Sequence, residues 1–582
     1  MARSLSENRT PTAETPSSRR LMGHDLLLIG GMLVLAGCGL IYEYLLAHYA
    51  GRILGAVEST IYAMIGIMIV AMGIGAFLAR WVKCPFTGFA WLEAGIGLLG
   101  ACSILLMAGM IAFTYTLPEW LQQIYGLHPS ITTDGGFIAL LQNFAFYTPF
   151  VAGFILGAMI GMEIPLIARV REQVHGRHLA HNTGTIYGAD YIGAGIGAAI
   201  WVGVCLNIPI MAAAVGTAAV NLLIGLIFLW RYQSEIVRPA RLWLVHVGLA
   251  VVLIVLAING SGWVLQMNYT LFKDTPIYSK VTPYQHITLT RRHVGQGLPS
   301  LLSLYINGRL QFSSSDENIY HSYLTYPALL SSARHDHVLV IGGGDGMAVR
   351  DILRWNPKRV TLIELDATMI GLFKGDAPDV PADIRQTLLN LNQDAFNDSR
   401  VSIIIGDAFI EVERLVSEGR HFDAIIVDLP DPSHPDLNKL YSDFFYARLK
   451  ELLSGDGAIA VQSTSPYHAK QAFVSIGKTM EAAGYLTEQY HTNVPTFGEW
   501  GWTIGTVRGL TPSQRIAQVD QLPVANSWLS KAALEAAFIF APSYFKDTES
   551  IEINRLGSHR VYRLHHEAWS KQDGVFFAGE KN

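Results

Sequence analysis

At 582 residues the chain exceeds one ordinary domain, and with only 15% of its residues charged, against roughly 25% in soluble proteins, it must hold a large apolar part. A net charge of -5 at pH 7 with no Lys- or Arg-rich run excludes a nucleic-acid-binding protein. The cysteines, Cys38, Cys84, Cys102 and Cys205, all precede residue 262, so the remainder has neither a disulfide framework nor a cysteine metal site.

In chain order, residues 1–20, rich in Ser, Thr, Pro and Arg, read as a disordered tail. Residues 21–262 carry the apolar excess and read as a multi-pass α-helical membrane domain. Seven candidate spans, 26–46, 60–79, 91–113, 138–164, 185–204, 210–230 and 242–260, are each near the ~20 residues that cross a hydrocarbon core. Gly153, Gly157 and Gly161, then Gly193 and Gly197, repeat every four residues, which puts a smooth ridge on one helix face and predicts a packed bundle. Arg19 with Arg20, Arg80 with Lys83, Arg169 with Arg171 and Arg177, and Arg231 with Arg238 and Arg241 fall in alternate loops. That pattern places the amino terminus and those loops in the cytoplasm. A seventh crossing would then export the rest of the chain unless one apolar stretch is re-entrant, so the side carrying the second half stays open. Glu43, Glu93, Glu163 and Asp190 lie in or beside the spans. They either mark a cation path or, on the simpler reading, sit near helix ends or pair with Arg52 and His48.

Residues 263–335 read as a small β-layer and a connecting helix. "PYQHITLT" and "LLSLYINGRLQF" alternate as strands do, and "SSDENIYHSYLTYPALL" opens with a Ser/Asp cap and continues at helical spacing. Over 336–510, "HVLVIGGGDGMAVRDILRW" joins a β-run through a glycine turn to an amphipathic helix, the first unit of a doubly wound, Rossmann-like α/β domain of methyltransferase type. "RVTLIEL", "RVSIIIGDAF", "FDAIIVDLPDP" and "GAIAVQS" supply further strands. Residues 511–582 form an extension in which no motif is evident.

Strand ends deliver Asp345, Glu364, Asp407, Asp428 and Asp431 to the edge where open α/β sheets bind ligands. Such a rim repels a phosphate-bearing dinucleotide and suits a ligand with a ribose, an amino group and positive charge. The G-x-G-x-G of Gly342, Gly344 and Gly346 lets backbone approach a nucleoside, although it also fits NAD enzymes and methyltransferases; Glu364 lies where a carboxylate commonly takes ribose hydroxyls. Asp366 and Asp436 read as helix caps or exposed turn residues. Asp428 ends the run "AIIV" beside rigid prolines, with no Lys or Arg near it in sequence. Its neutralising charge is expected to be the substrate.

In combination, Tyr284 and Gln285, "DENIYH" at 316–321, "GGGDG" at 342–346, "IELD" at 363–366, "GDAF" at 406–409, "VDLPDP" at 427–432 and "GEWGWTIGT" at 498–506 resemble the polyamine aminopropyltransferases, the spermidine synthases. The first half, with "LIYEYLL" at 40–46, is similar to that of the family's membrane-anchored bacterial branch, which implies a multi-pass protein of the bacterial inner membrane. The resemblance implies aminopropyl transfer from decarboxylated S-adenosylmethionine, a co-substrate, to a diamine such as putrescine, giving spermidine and methylthioadenosine. It implies no permanently bound cofactor and no metal. On it, Gln285, Gly342, Gly344, Glu364, Asp407, Ala408 and Pro435 hold the thioadenosine part; Tyr320, His321 and Asp345 line the aminopropyl and amine side; Asp428 accepts the proton and Asp431 assists at the acceptor amine. The expected partners are the diamine, the sulfonium nucleoside and lipid, with self-association left open. One position departs: where the family has a tyrosine that meets the distal amine of putrescine, "VPTFGEW" has Phe497, with Glu499 and Tyr467 as candidate replacements. Two alternatives are a methyltransferase, against which Asp345 would oppose the carboxylate of ordinary S-adenosylmethionine, and a non-catalytic polyamine sensor or transporter, against which Asp428 and Asp431 are both retained.

Overall fold

The computed structural model describes residues 18–54, 57–125, 136–176, 181–270, 272, 274–295 and 299–572. The tail expected over 1–20 therefore lies outside the described residues up to position 17, and a helix has begun at Ser18. The chain forms two compact units, Met1–Leu271 and Phe272–Asn582.

Among the described residues the first unit is built of helices: α1 (Ser18–Leu54), α2 (Val57–Leu78), α3 (Pro85–Tyr125), α4 (Gly136–His175), α5 (Asn182–Gly203), α6 (Ile210–Arg231) and α7 (Pro239–Tyr269). Among the described residues seven helices are long and apolar enough to cross a membrane. The glycine ridges act where helices meet most closely. A Cβ on Gly161 of α4 would lie 2.0 Å from Met72 O of α2, and one on Gly193 of α5 would lie 2.0 Å from Leu33 O of α1; only glycine permits that approach. α7 continues past the boundary expected at 262. Gly260, which reads as a helix end, is instead a packing point whose Cβ would stand 2.8 Å from Met211 Cγ. Glu93 and Glu163 are not at helix ends but fully buried among the helices, and Glu93 Oε2 accepts a hydrogen bond from Asn221 Nδ2 of α6 at 3.0 Å. The side chain of Arg52 lies outside those described.

The second unit begins with β1 (Thr275–Val281), β2 (His286–Arg292), β3 (Leu301–Ile306) and β4 (Arg309–Ser313), an antiparallel sheet in that order. Asn307 and Gly308 join β3 to β4 with φ of 51° and 78°, the left-handed pair that a two-residue hairpin turn needs. Next come α8 (Glu317–Ser331), β5 (His337–Gly342), α9 (Met347–Leu353), β6 (Arg359–Glu364), α10 (Ala367–Lys374), α11 (Ala382–Asn392), β7 (Val401–Ile405), α12 (Ala408–Ser417) and β8 (Phe422–Asp428). After a tight 3-10 turn, Pro435–Tyr441, follow α13 (Asp443–Leu452), β9 (Leu453–Gln462), α14 (Lys470–Ala482), β10 (Leu486–Val494), β11 (Gly498–Thr506), α15 (Pro512–Ala517), α16 (Lys531–Ala537) and α17 (Arg560–Gln572).

These strands make one seven-stranded sheet in the order β10-β11-β9-β8-β5-β6-β7. β5 to β9 are parallel and β10 and β11 antiparallel. Alternate residues of β5 feed two cores, Val338 and Val340 on one face, Leu339 and Ile341 on the other, which is why the run is apolar without a break. α8 to α11, α15 and α16 cover the first face, and α12 to α14 with α17 the second. The chain leaves β5 toward β6 and β7, then returns to β8 on the other side of β5. That reversal opens a crevice at the carboxyl ends of β5 and β8.

Candidate functional site

The glycine turn after β5 brings backbone against β8. Gly342 pairs with Asp428 across the sheet, and Gly343 N–H donates to Asp428 O at 3.0 Å. Gly342 has φ of 75°, and a Cβ there would fall 2.1 Å from that carbonyl oxygen. A side chain at Gly344 would collide with the Glu364 carboxylate at 2.8 Å, so the turn and the end of β6 form one wall.

Four of the expected residues converge on this point. Tyr320 OH donates to Asp428 Oδ1 at 2.8 Å, and His321 Nε2 lies 3.8 Å from Asp345 Oδ2 and 3.9 Å from Asp428 Oδ2. Burial pushes Asp428 up to about 6; the His321 charge and the Tyr320 hydrogen bond pull it down, and Asp345 adds to the rise. Burial opposes the charged form of His321, yet the Glu317 hydrogen bond and the charges of Asp345, Glu317 and Asp428 hold it up at about 9. The imidazole is therefore cationic at neutral pH, and Asp428 is not left wholly to the substrate as the sequence suggests.

His321 is fixed from behind. Its Nδ1 lies 2.8 Å from Glu317 O and 3.1 Å from Glu317 Oε2, one helical turn earlier in α8. Glu317 in turn accepts from both terminal nitrogens of Arg350 in α9, at 2.9 and 3.1 Å, and Arg350 also binds Asp351 at 2.9 Å. Sequence reasoning missed this buried network, although Glu317 and His321 at i and i+4 are the signal of a paired helix face. His321, Asp345 and Asp428 each offer an atom within 4.8 Å of the others, a spacing that fits a metal ion or an amine. Asp345 and Asp428 turn two carboxylates toward this space, which suits a positively charged occupant.

A second group lies beyond β6 and β7. Burial pushes Glu364 up to about 7, opposed by the hydrogen bond from Asp366 N–H at 3.0 Å. Asp366 does cap α10 through Thr368 N, but it is buried rather than an exposed turn residue. Its other oxygen receives Thr282 Oγ1 at 2.7 Å and Gln285 Nε2 at 3.0 Å, so Asp366 aims Gln285. Asp407 caps α12, which Ala408 begins, through Phe409 N and takes Lys439 Nζ at 2.6 Å. Lys439 sits in the turn that Pro435 opens. The rim is therefore not uniformly acidic, and a cation 32 residues away was invisible to local spacing. Asp436 stays an exposed turn residue beside His434.

Asp431 stands apart from the four. Its Oδ1 accepts from Gln462 Nε2 at 3.0 Å, and its Oδ2 has Thr464 Oγ1 at 3.3 Å and His565 Nε2 at 3.1 Å. Tyr320 still feels it: burial, then the charges of Asp428 and Asp431 among others, raise the phenol well above its usual range. Phe497 packs edge-on to Tyr320 at 6.2 Å between ring centres and against Trp500 at 4.9 Å, which puts it on the same side. Its turn is clamped by Asp316, which does not cap α8 with its side chain but accepts from Thr496 N at 2.7 Å and Thr496 Oγ1 at 3.0 Å. Of the candidate replacements for the missing hydroxyl, Glu499 pairs with His491 and Tyr467 is exposed.

Comparison with known proteins places these residues in context. The spermine/spermidine synthase domain matches residues 317–514. A polyamine aminopropyltransferase of Shewanella oneidensis is 53% identical over 571 residues, covering 98% of this chain and 100% of that protein. Polyamine aminopropyltransferase 1 of Streptomyces coelicolor is 32% identical over 544 residues, covering 90% of this chain and 91% of that protein. A crystal structure of spermidine synthase in complex with the transition state analogue AdoDATO aligns at 21% identity with a TM-score of 0.39, covering 46% of this chain and 86% of that one.

Proposed function

The chain belongs to the polyamine aminopropyltransferases, and from that premise we propose that its crevice moves the aminopropyl group of decarboxylated S-adenosylmethionine to a diamine, with Asp428 as the proton acceptor. The observation that carries this reading is the Asp428 carboxylate at the end of β8, held by Tyr320 OH at 2.8 Å and flanked by His321 and Asp345.

The acceptor is a primary amine with a pKa like that of Lys, near 10.4, so removing its proton at pH 7 costs roughly 4–5 kcal/mol. Asp428, with a pKa of about 6, is mostly ionised at neutral pH and basic enough to take that proton as the nitrogen attacks. The new bond joins the amine nitrogen to the propyl carbon next to the sulfonium. The old carbon–sulfur bond breaks, its electron pair stays on sulfur, and neutral methylthioadenosine leaves. The sulfonium is already a good leaving group and asks for no Lewis acid. Asp431 and Asp345 hold the cationic groups in line with the scissile bond.

On the donor side Glu364 takes the ribose hydroxyls, the backbone at Gly342 and Gly344 lies along the nucleoside, and Gln285, aimed by Asp366, closes the wall. Asp407, Ala408 and Pro435 border the adenine. The seven apolar helices serve as an anchor in a bacterial cell membrane.

The test is mass spectrometry of the products formed by the purified full-length protein from decarboxylated and ordinary S-adenosylmethionine with putrescine, cadaverine and diaminopropane. Methylthioadenosine plus the matching triamine, from the decarboxylated donor alone, is the expected result. A methylated amine, or no product with any diamine, overturns the reading.

A further inference from the structure

Most of the extension 511–582 lies beyond the matched family segment, 317–514, yet part of it reaches Asp431. α17 is pinned there by Asn554, which is fully buried. Asn554 Nδ2 donates to Asn438 O at 3.0 Å and Tyr441 O at 3.1 Å, while its Oδ1 accepts from Arg560 N at 3.0 Å and Val561 N at 3.2 Å. One side chain thus satisfies two orphan donors at the start of α17 and ties the helix to the turn that follows Asp431. Asn438 Oδ1 adds a bond from Tyr562 N at 3.3 Å. His565, whose side chain is 1% exposed, is thereby set with Nε2 3.1 Å from Asp431 Oδ2.

We propose that His565 is a positioning residue for the acceptor amine: its Nε2–H holds the Asp431 carboxylate in the orientation that receives the ammonium, so that the extension completes the acceptor side of the crevice. The inference rests on the aminopropyl-transfer reading. A carboxylate has about four acceptor sites. Gln462, Thr464 and His565 supply three donors, which leaves one site for an ammonium N–H. The contact from Thr464 is long at 3.3 Å, so His565 is the donor that governs Oδ2.

Trp569 Nε1–H donates toward the same His565 nitrogen at 2.9 Å. A single ring nitrogen cannot donate to Asp431 and accept from the indole at once. With the proton on Nε2, as a bond to Asp431 needs, the indole N–H of Trp569 faces another N–H and opposes that bond rather than supporting it.

The experiment measures kcat and KM for putrescine at saturating donor, methylthioadenosine affinity and melting temperature, all on the full-length protein in detergent. His565→Ala is expected to raise the amine KM roughly ten- to a hundredfold, the scale of a lost hydrogen bond to a charged group, while methylthioadenosine affinity stays level. His565→Gln, whose amide N–H reaches the same oxygen, is expected to recover most of that loss. Trp569→Phe is expected to leave the amine KM level or lower it. An unchanged KM in His565→Ala overturns the inference while leaving the function standing. So does a parallel loss of kcat, donor affinity and melting temperature in both His565 variants, which marks α17 as merely structural, or a Trp569→Phe defect equal to that of His565→Ala. If the unaltered protein transfers no aminopropyl group to any diamine, the function itself fails and this inference falls with it.

Discussion

Beyond β6 and β7 the acids of the crevice are tied down by their own surroundings, whereas beyond β5 and β8 they face one another. Asp366 caps a helix and aims Gln285, and Asp407 caps a helix and pairs with Lys439. Asp345 and Asp428 instead share one imidazolium, 3.8 and 3.9 Å away. On one side neighbouring donors already occupy the carboxylates, and on the other two carboxylates lie 3.8 and 3.9 Å from one shared cation. A nucleoside needs the first and an ammonium the second, so residue type at a strand end says less than what the carboxylate already touches.

The comparison breaks most visibly at Asp428. Asp428→Asn keeps the shape and removes the base, so turnover with a diamine is expected to fall by about 10²–10⁴-fold while methylthioadenosine affinity, read by calorimetry, hardly changes. Donor affinity falling as much as turnover would show that the two sides are not separate. The support beneath His321 comes next. Arg350→Ala leaves buried Glu317 to His321 and buried Asp351 to a 3.6 Å contact with Arg354, and is expected to cost up to about 3–5 kcal/mol of stability, seen as a lowered melting temperature of the full-length protein; an unchanged melting temperature contradicts the network.

Tyr320→Phe removes a hydrogen bond to a charged group, worth roughly 1.5–3 kcal/mol, and is expected to lower kcat/KM by about ten- to a hundredfold without altering donor binding. His321 gives a pH signature. Its folded-state pKa of about 9 lies above the unfolded value near 6.5. It therefore contributes stability that is whole below roughly pH 6.5 and lost as pH rises through about 9. The melting-temperature gap between the unaltered protein and His321→Gln is expected to shrink between these limits, and a gap that widens refutes the cationic imidazole.

Phe497→Tyr is the smallest change. A ring face holds an ammonium more loosely than a hydroxyl does, so the unaltered enzyme is expected to accept several diamines and the variant to favour one length by less than about tenfold, ~1.4 kcal/mol. A preference for putrescine above about a hundredfold in the unaltered enzyme would assign the distal amine to another group.

The long apolar helices of the first unit were legible because their apolar runs are unbroken over about 20 residues or more, and the parallel strands because both faces of β5 are buried. Asp428 and Glu364 were legible because a strand end fixes where a side chain emerges. Local spacing could not disclose partners far along the chain: Arg350 lies 33 residues from Glu317, Asn221 lies 128 from Glu93, and His565 lies 134 from Asp431. Asp366 was read as a cap, which it is, but a sequence cannot show that its second oxygen holds Gln285. For Phe497 the sequence disclosed the departure, and the structure adds its edge-on ring contact with Tyr320.

The most direct test of Asp428 as the proton acceptor is the pH dependence of single-turnover aminopropyl transfer to putrescine, in the unaltered protein and in Asp428→Asn. Expected is a rate that falls as pH drops through about 6, where the Asp428 carboxylate takes up a proton, and a variant that is slow and has lost that limb. A variant that keeps both the rate and the acid limb would assign the proton to another group and contradict the reading of this crevice.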